Sequence, residues 1–229
     1  MNDKIIGIIG GMGPEATANC YMKIIKATKA KKDQDHFRII IDSNAKIPDR
    51  TEAILGKGKN PIKEIINTGK NLEKTGVDVA MIPCMTSHYF IEEVQKHLKF
   101  PILNAFIETN NYIKSTYPNA KKVGVLATSG TLKTQLFNKY FGDIEVLYPS
   151  ENSQNNKVME AIYGERGIKQ GHLTEEPLQL LKETAEELIQ QGADLIISGC
   201  TEIELVLKQN HLSKPLIIPM DVVIEKLVK

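Results

Sequence analysis

The sequence has little of three things that would fix a class at once: cysteine, net charge and long apolar runs. Three cysteines, an odd number spread over 229 residues, do not make the framework of a secreted, disulfide-stapled domain, and a reducing compartment would keep them as thiols. Twenty-nine basic residues against 28 acidic ones leave a net charge of +1. That balance provides no electrostatic footprint for nucleic acid or an anionic membrane, so a small molecule is the expected partner. No stretch reaches membrane-spanning length. The N-terminal MNDKIIGIIGG sets an acidic residue beside its lysine and meets glycines before a signal-like apolar core develops, so a cytoplasmic location is expected. What remains is an ordinary globular mix, 41% hydrophobic and 25% charged, long enough for one large domain or two small ones.

Apolar, β-branched runs alternate with segments of helical period. KIIGIIG (4–10), FRIIID (37–42), VDVAMI (77–82), KKVGVLA (121–127), IEVLY (144–148) and ADLIIS (193–198) read as near-continuous buried strands, the pattern of parallel sheets. The clearest helix follows Thr174, an expected N-cap, with Glu175 and Glu176 in its first turn and Leu178, Leu181, Ala185 and Leu188 on one face, and Gly192 ends it. Strand and helix alternation predicts an α/β architecture. The polar PSENSQNN (149–156) and the loop YGERGIKQG (163–171) are expected to form a mobile lid.

The two halves echo each other. KIIGIIGGMG (4–13) aligns with KKVGVLATSG (121–130) at an offset of 117, matching Lys4 to Lys121, Gly7 to Gly124 and Gly13 to Gly130. VDVAMIPC and ADLIISGC align at 116, carrying Gly76 to Gly192, Asp78 to Asp194 and Cys84 to Cys200. Buried βα units look alike in general, which explains the apolar runs but not the register of the cysteines. The expectation is two similar α/β domains, 1–102 and 103–210, with a C-terminal helix over 211–229 packing back on the first. Ligands of open parallel sheets bind beyond the carboxyl ends of the strands, where both cysteines lie, so the predicted site is an interdomain cleft with one thiol on each wall. The loop GGMGPEATAN, with Pro14 at a favourable first helical position, and SNAKIPDRTEAI (43–54), carrying Arg50, are expected on the same rim.

Two bases on opposite faces of one carbon can take a proton from one side and return another on the other, which inverts the centre. An α-hydrogen is weakly acidic, so the site must also hold the carboxylate and stabilise the developing carbanion. A thiol of reference pKa about 8.5 serves near neutrality when dipoles such as a helix N-terminus favour its thiolate, and both cysteines precede predicted helices.

GIIGGMGPEAT, IPDRT, IPCMTSHYF, IYGERGIKQG and GCTE together resemble the aspartate racemase branch of the aspartate/glutamate/hydantoin racemase family, over nearly the whole chain. The resemblance implies two α/β domains related by pseudo-twofold symmetry, a cofactor-independent amino-acid racemase with two cysteine bases, aspartate as substrate, and a homodimer. It makes Cys84 and Cys200 the acid/base pair, Cys200 acting on the L-enantiomer and Cys84 on the D-enantiomer. Thr86, Ser87, Thr201 and Glu202 would line the α-amino and α-carboxylate subsites, Arg50 and Lys169 would hold the side-chain carboxylate, and Met12 and Asn44 would complete the lining. Met85 departs from the pattern, in which Asn follows the first cysteine, and a thioether cannot replace an amide's two donors.

Other readings stand beside this one. Cys20, inside a predicted helix, reads as an inert buried thiol. His88, four residues after Cys84, could pair with Cys200 at a metal, but no ligand spacing supports zinc and no metal is expected. Glu202 could instead cap its own helix, and Met12 could only pack. The substrate could be glutamate or another amino acid, and a two-lobed amino-acid-binding protein without activity is the non-enzymatic alternative. GMGPEA fits a G-x-G-x-x-A dinucleotide fingerprint, but Asp42 lies 29 residues past Gly13 rather than about 20, and the paired cysteine segments stay unexplained.

Overall fold

A computed structural model describes residues 4–229. The chain divides into two compact units, one formed by residues up to Glu108 together with Met220–Lys229, the other by Thr109–Pro219. The first division falls inside the helix Ala105–Thr116.

The first unit is built on β1 (Ile5–Gly10), β2 (Arg38–Ser43) and β3 (Val79–Met81), all parallel, in the order β2-β1-β3. β1 is central and almost fully buried. β2 is an edge strand whose residues are all exposed or half-buried, so the expectation of a buried run over 37–42 fails there. An edge strand has one covered side, and Ile41 stays 38% exposed. The helices Pro14–Ala27 and Ile62–Glu73 follow β1 and β2, with Cys20 wholly buried in the first and Ile65, Thr68 and Leu72 on the inner face of the second.

The second unit holds β4 (Lys122–Leu126), β5 (Glu145–Leu147), β6 (Leu195–Ser198) and β7 (Leu216–Ile217), parallel in the order β5-β4-β6-β7. The helix Glu175–Gln190 buries Leu181, Ala185 and Leu188, and Gly192 leaves it at φ +98°. Thr174 stands at its N-cap but makes no side-chain cap bond. Two expectations are corrected. Residues 211–218 are not helical: Leu216–Ile217 pair with β6, and the last helix runs only over Pro219–Leu227, starting at a proline that suits a first helical turn. Lys4 Nζ donates to its Leu227 carbonyl at 2.5 Å. The polar stretch 149–156 is not a loop, because Glu151–Tyr163 is continuous helical backbone with a π-turn at Gln154–Val158, capped by Ser150 accepting from Ser153 N–H. The loop 163–171 carries only a short 3-10 turn, Ile168–Gln170.

The sequence repeat is a repeat of structure. Asp78 accepts from Ile5 N–H at 2.7 Å while its own N–H donates to Ile5 O at 2.9 Å. Asp194 accepts from Lys122 N–H at 2.9 Å and donates to Lys122 O at 2.9 Å. Each aspartate thus pins its strand to the start of the central one, which fixes the register that carries the following cysteine. Gly7 and Gly124 are matched for the same reason: a Cβ would lie 2.7 Å from Val77 in one and 2.7 Å from Ile196 in the other.

Candidate active site

In the first unit Cys84 lies three residues past the end of β3 and is 6% exposed. Its carbonyl accepts from Ser87 N–H at 3.2 Å, Ser87 Oγ at 2.6 Å and His88 Nδ1 at 2.9 Å, so three donors fix the backbone that carries the thiol. His88 is buried, its ring edge-on to Phe106 at 5.7 Å, and burial pushes its pKa down to about 4. The imidazole is therefore neutral at pH 7, with Nδ1 carrying the proton that Cys84 O receives. His88 is a support of the thiol that the sequence reading passed over as a possible metal ligand. Its position four residues after Cys84 was the available signal.

The first and second βα loops meet beside this turn. Gly11 has φ +90°, and a Cβ there would lie 2.3 Å from the Asn44 carbonyl carbon, so only glycine allows this approach. Arg50, at the first position of the helix Arg50–Ile54 and 8% exposed, donates through Nη1 to Ile47 O at 3.3 Å and Pro48 O at 3.1 Å, and through Nη2 to Met12 O at 3.5 Å. Its guanidinium clamps the two loops together. Asn44 sends Nδ2 to Thr68 Oγ1 at 3.0 Å and accepts from Lys46 N–H at 3.0 Å. Met12 and Met85 are buried at 1% and 2% exposure, and Met12 shares one apolar cluster with Cys84. Thr86 and Ser87 are buried in the 3-10 turn Thr86–Phe90.

In the second unit Cys200 follows β6 after Gly199, where a Cβ would press on Ala127 at 2.9 Å. Cys200 Sγ donates to Glu202 Oε2 at 3.0 Å, Thr201 Oγ1 donates to the same oxygen at 3.3 Å, and Lys169 Nζ donates to Glu202 Oε1 at 2.6 Å. Lys169 also lies over the Tyr163 ring at 5.4 Å. Burial pushes the Cys200 thiol well up, the Glu202 charge pushes it further, and Lys169 opposes both. Burial alone would raise the Glu202 carboxyl, but Lys169 and the Cys200 hydrogen bond hold it below its ordinary value. The sequence reading also missed Gln154, whose Nε2 donates to Ala127 O at 3.0 Å and Ser129 Oγ at 3.1 Å at the end of β4. Its only sequence signal was polarity, which pointed to a loop.

Both cysteines precede helical backbone, as expected. The 3-10 turn Thr86–Phe90 after Cys84 runs on into the helix Ile91–Gln95, whereas only the four-residue helix Ile203–Val206 follows Cys200, so fewer peptide dipoles add there. Within the first unit the structure brings together Met12, Asn44 and Arg50 on adjoining loops, and Met85, Thr86 and Ser87 on the turn after Cys84. Within the second it gathers Cys200, Thr201, Glu202 and Lys169.

Residues 9–227 match the model of the Asp/Glu/Hydantoin racemase family. The chain is 34% identical over 221 residues to the broad specificity amino-acid racemase RacX of Bacillus subtilis, over 93% of this chain and 92% of that one. Its structure is similar to Picrophilus torridus aspartate racemase, with a TM-score of 0.77 and 26% identity over 98% of this chain and 94% of the other. It shares its fold with the glutamate racemase of Francisella tularensis, solved with D-glutamate, at TM-score 0.70 and 19% identity over 99% of this chain and 80% of that one. With two parallel-sheet units, a cysteine in the same register at the end of a strand in each, and a family match spanning both, the chain belongs to the Asp/Glu/hydantoin racemase family.

Proposed function

We propose that the protein is a cofactor-independent amino-acid racemase in which Cys84 and Cys200 serve opposite faces of the substrate α-carbon, with aspartate one substrate among several. The observation that carries this is the residue-by-residue equivalence of the two thiols: each follows a parallel strand pinned by the same aspartate bridge, at Asp78 and at Asp194. One sulfur, as thiolate, takes the α-proton; the electron pair left on carbon spreads into the substrate carboxylate; the other sulfur gives its proton to the opposite face. The hydroxyls of Thr86 and Thr201, both buried beside the thiols, are suited to the polar α-groups. Water-poor surroundings make such contacts stronger as charge develops.

The breadth of substrate rests on what the two cations already hold. Lys169 is engaged by Glu202 and Arg50 by three backbone carbonyls, so a distal carboxylate gains less from either than from an uncommitted charge. Met85 adds an apolar surface where an amide would favour polar groups. The 34% identity to a protein described as a broad specificity amino-acid racemase supports the same reading. A homodimer is proposed with it. The test is a screen of single amino acids by chiral chromatography without added cofactor. Enantiomers should appear from aspartate and from some neutral amino acids. No product from any amino acid would refute racemisation, binding without α-hydrogen exchange would identify a binding protein, and a spectral response to NAD(P)H would favour the dinucleotide reading.

A further inference from the structure

The Cys200 thiol is linked to a carboxylate that is itself neutralised. Sγ donates to Glu202 Oε2 at 3.0 Å, and the other carboxylate oxygen is held by Lys169 at 2.6 Å. Glu202 is 6% exposed, and Lys169 arrives from the turn Ile168–Gln170 with its ammonium over Tyr163. Within this unit the charged groups acting on the thiol are Glu202 and Lys169. Were Cys200 to ionise here, two adjacent anions would share one ammonium in a buried place, whereas the thiol with the Glu202–Lys169 pair leaves no net charge. Among the described residues, the donors of Ser87 and His88 at Cys84 meet its carbonyl and not its sulfur.

We propose that Glu202, clamped by Lys169, is a positioning residue that holds Cys200 as the thiol in the substrate-free protein, so that the first proton is taken by Cys84 and Cys200 begins as the donor. The proposal rests on the two-thiol reading and adds a direction to it. The Cα–H proton passes to the Cys84 thiolate, its bonding pair stays on carbon, and the Cys200 S–H proton is delivered to the opposite face with its bonding pair left on sulfur. That thiolate, beside Glu202, is the state the carboxylate disfavours, so Cys84 gives the proton it took to solvent while Cys200 takes one back, which returns the resting form. Lys169 thereby acts through Glu202 and not on the substrate.

The test follows the cysteine Cβ carbon-13 shifts of the full chain, labelled at that carbon, from about pH 6 to about pH 10 without substrate, since ionisation of each thiol moves its own signal. Cys20→Ala and Cys84→Ala variants assign the signals. Cys200 should stay a thiol to the upper end of the range. Glu202→Gln, which removes the charge and leaves Lys169 unbalanced, should lower its midpoint by about one pH unit or more, a tenfold rise in thiolate at neutral pH. Glu202→Asp should lower it less, which a merely structural role would not produce, and adding Lys169→Met to E202Q should return it upward. A Cys200 already ionised at pH 7 in the unaltered protein, or a midpoint unmoved in E202Q, overturns the proposal. The unaltered protein alone supplies the first of these results whether or not the variants fold. Because the titration uses no substrate, its failure and the failure of the racemisation screen are separate results.

Discussion

Replacing Arg50 with alanine should cost stability before it costs specificity. The side chain is 8% exposed, and its two terminal nitrogens donate to Ile47 O at 3.3 Å, Pro48 O at 3.1 Å and Met12 O at 3.5 Å. The longest of these is marginal, so two bonds carry most of the effect. A hydrogen bond to a charged group contributes roughly 1.5 kcal/mol at the low end, so the two bonds together contribute about 3 kcal/mol. At about 2–4 °C per kcal/mol for a chain of this size, the melting temperature should fall by about 6–12 °C. Freed from the clamp, the loops carrying Met12 and Asn44 lose their fixed relation, and kcat/KM should drop for aspartate and alanine by similar factors. Thermal unfolding followed by circular dichroism, paired with chiral chromatography on both substrates, measures the two effects. An unchanged melting temperature together with a loss confined to acidic substrates would refute this reasoning and return Arg50 to the distal carboxylate.

Cys84→Ala and Cys200→Ala should each abolish racemisation with the circular dichroism spectrum preserved, while Cys20→Ala, wholly buried in the helix Pro14–Ala27, should keep activity; near-normal turnover in either of the first two would end the two-thiol mechanism. Starting from D-aspartate in deuterium oxide, early L-product should carry deuterium at the α-carbon and recovered D-substrate little, as mass spectrometry would read; rapid labelling of the substrate would point to a single base. His88, pushed down to about 4 by burial, takes up its proton in the unfolded chain near its ordinary value, so the folded state should lose stability as pH falls from about 6.5 to about 4, by up to roughly 3 kcal/mol. Urea midpoints across that range should show the slope, and His88→Gln should flatten it; equal slopes in both proteins would place the titration elsewhere.

Much of the fold was legible because its signals are local. Each central run, 4–10, 121–127 and 193–198, is apolar at nearly every position, which a strand covered on both faces requires and no exposed segment tolerates. The pairs Gly7 with Gly124, Asp78 with Asp194 and Cys84 with Cys200 were readable as a register, because each does the same local work: close approach, a cap on the central strand, and a thiol at the strand end. The edge positions of β2 and β5 were not readable, since strand order lies outside any one segment. Two residues suffice for β7 when β6 lies beside them, but two residues carry no period. The helix over 151–163 was missed because its polar residues read as a loop until Gln154 finds Ala127 O, 27 residues away.

The sequence alone determined two α/β repeats, the strand-end position of both cysteines and the chemistry that a pair of thiols permits. Those follow from residue type and spacing, which neighbouring backbone fixes. Only the tertiary structure decided what each charged residue holds: Lys169 meets Glu202 across 33 residues, and Arg50 meets Met12 O across 38. A buried charge must find a partner wherever the fold supplies one, and the distance along the chain does not tell which partner that is.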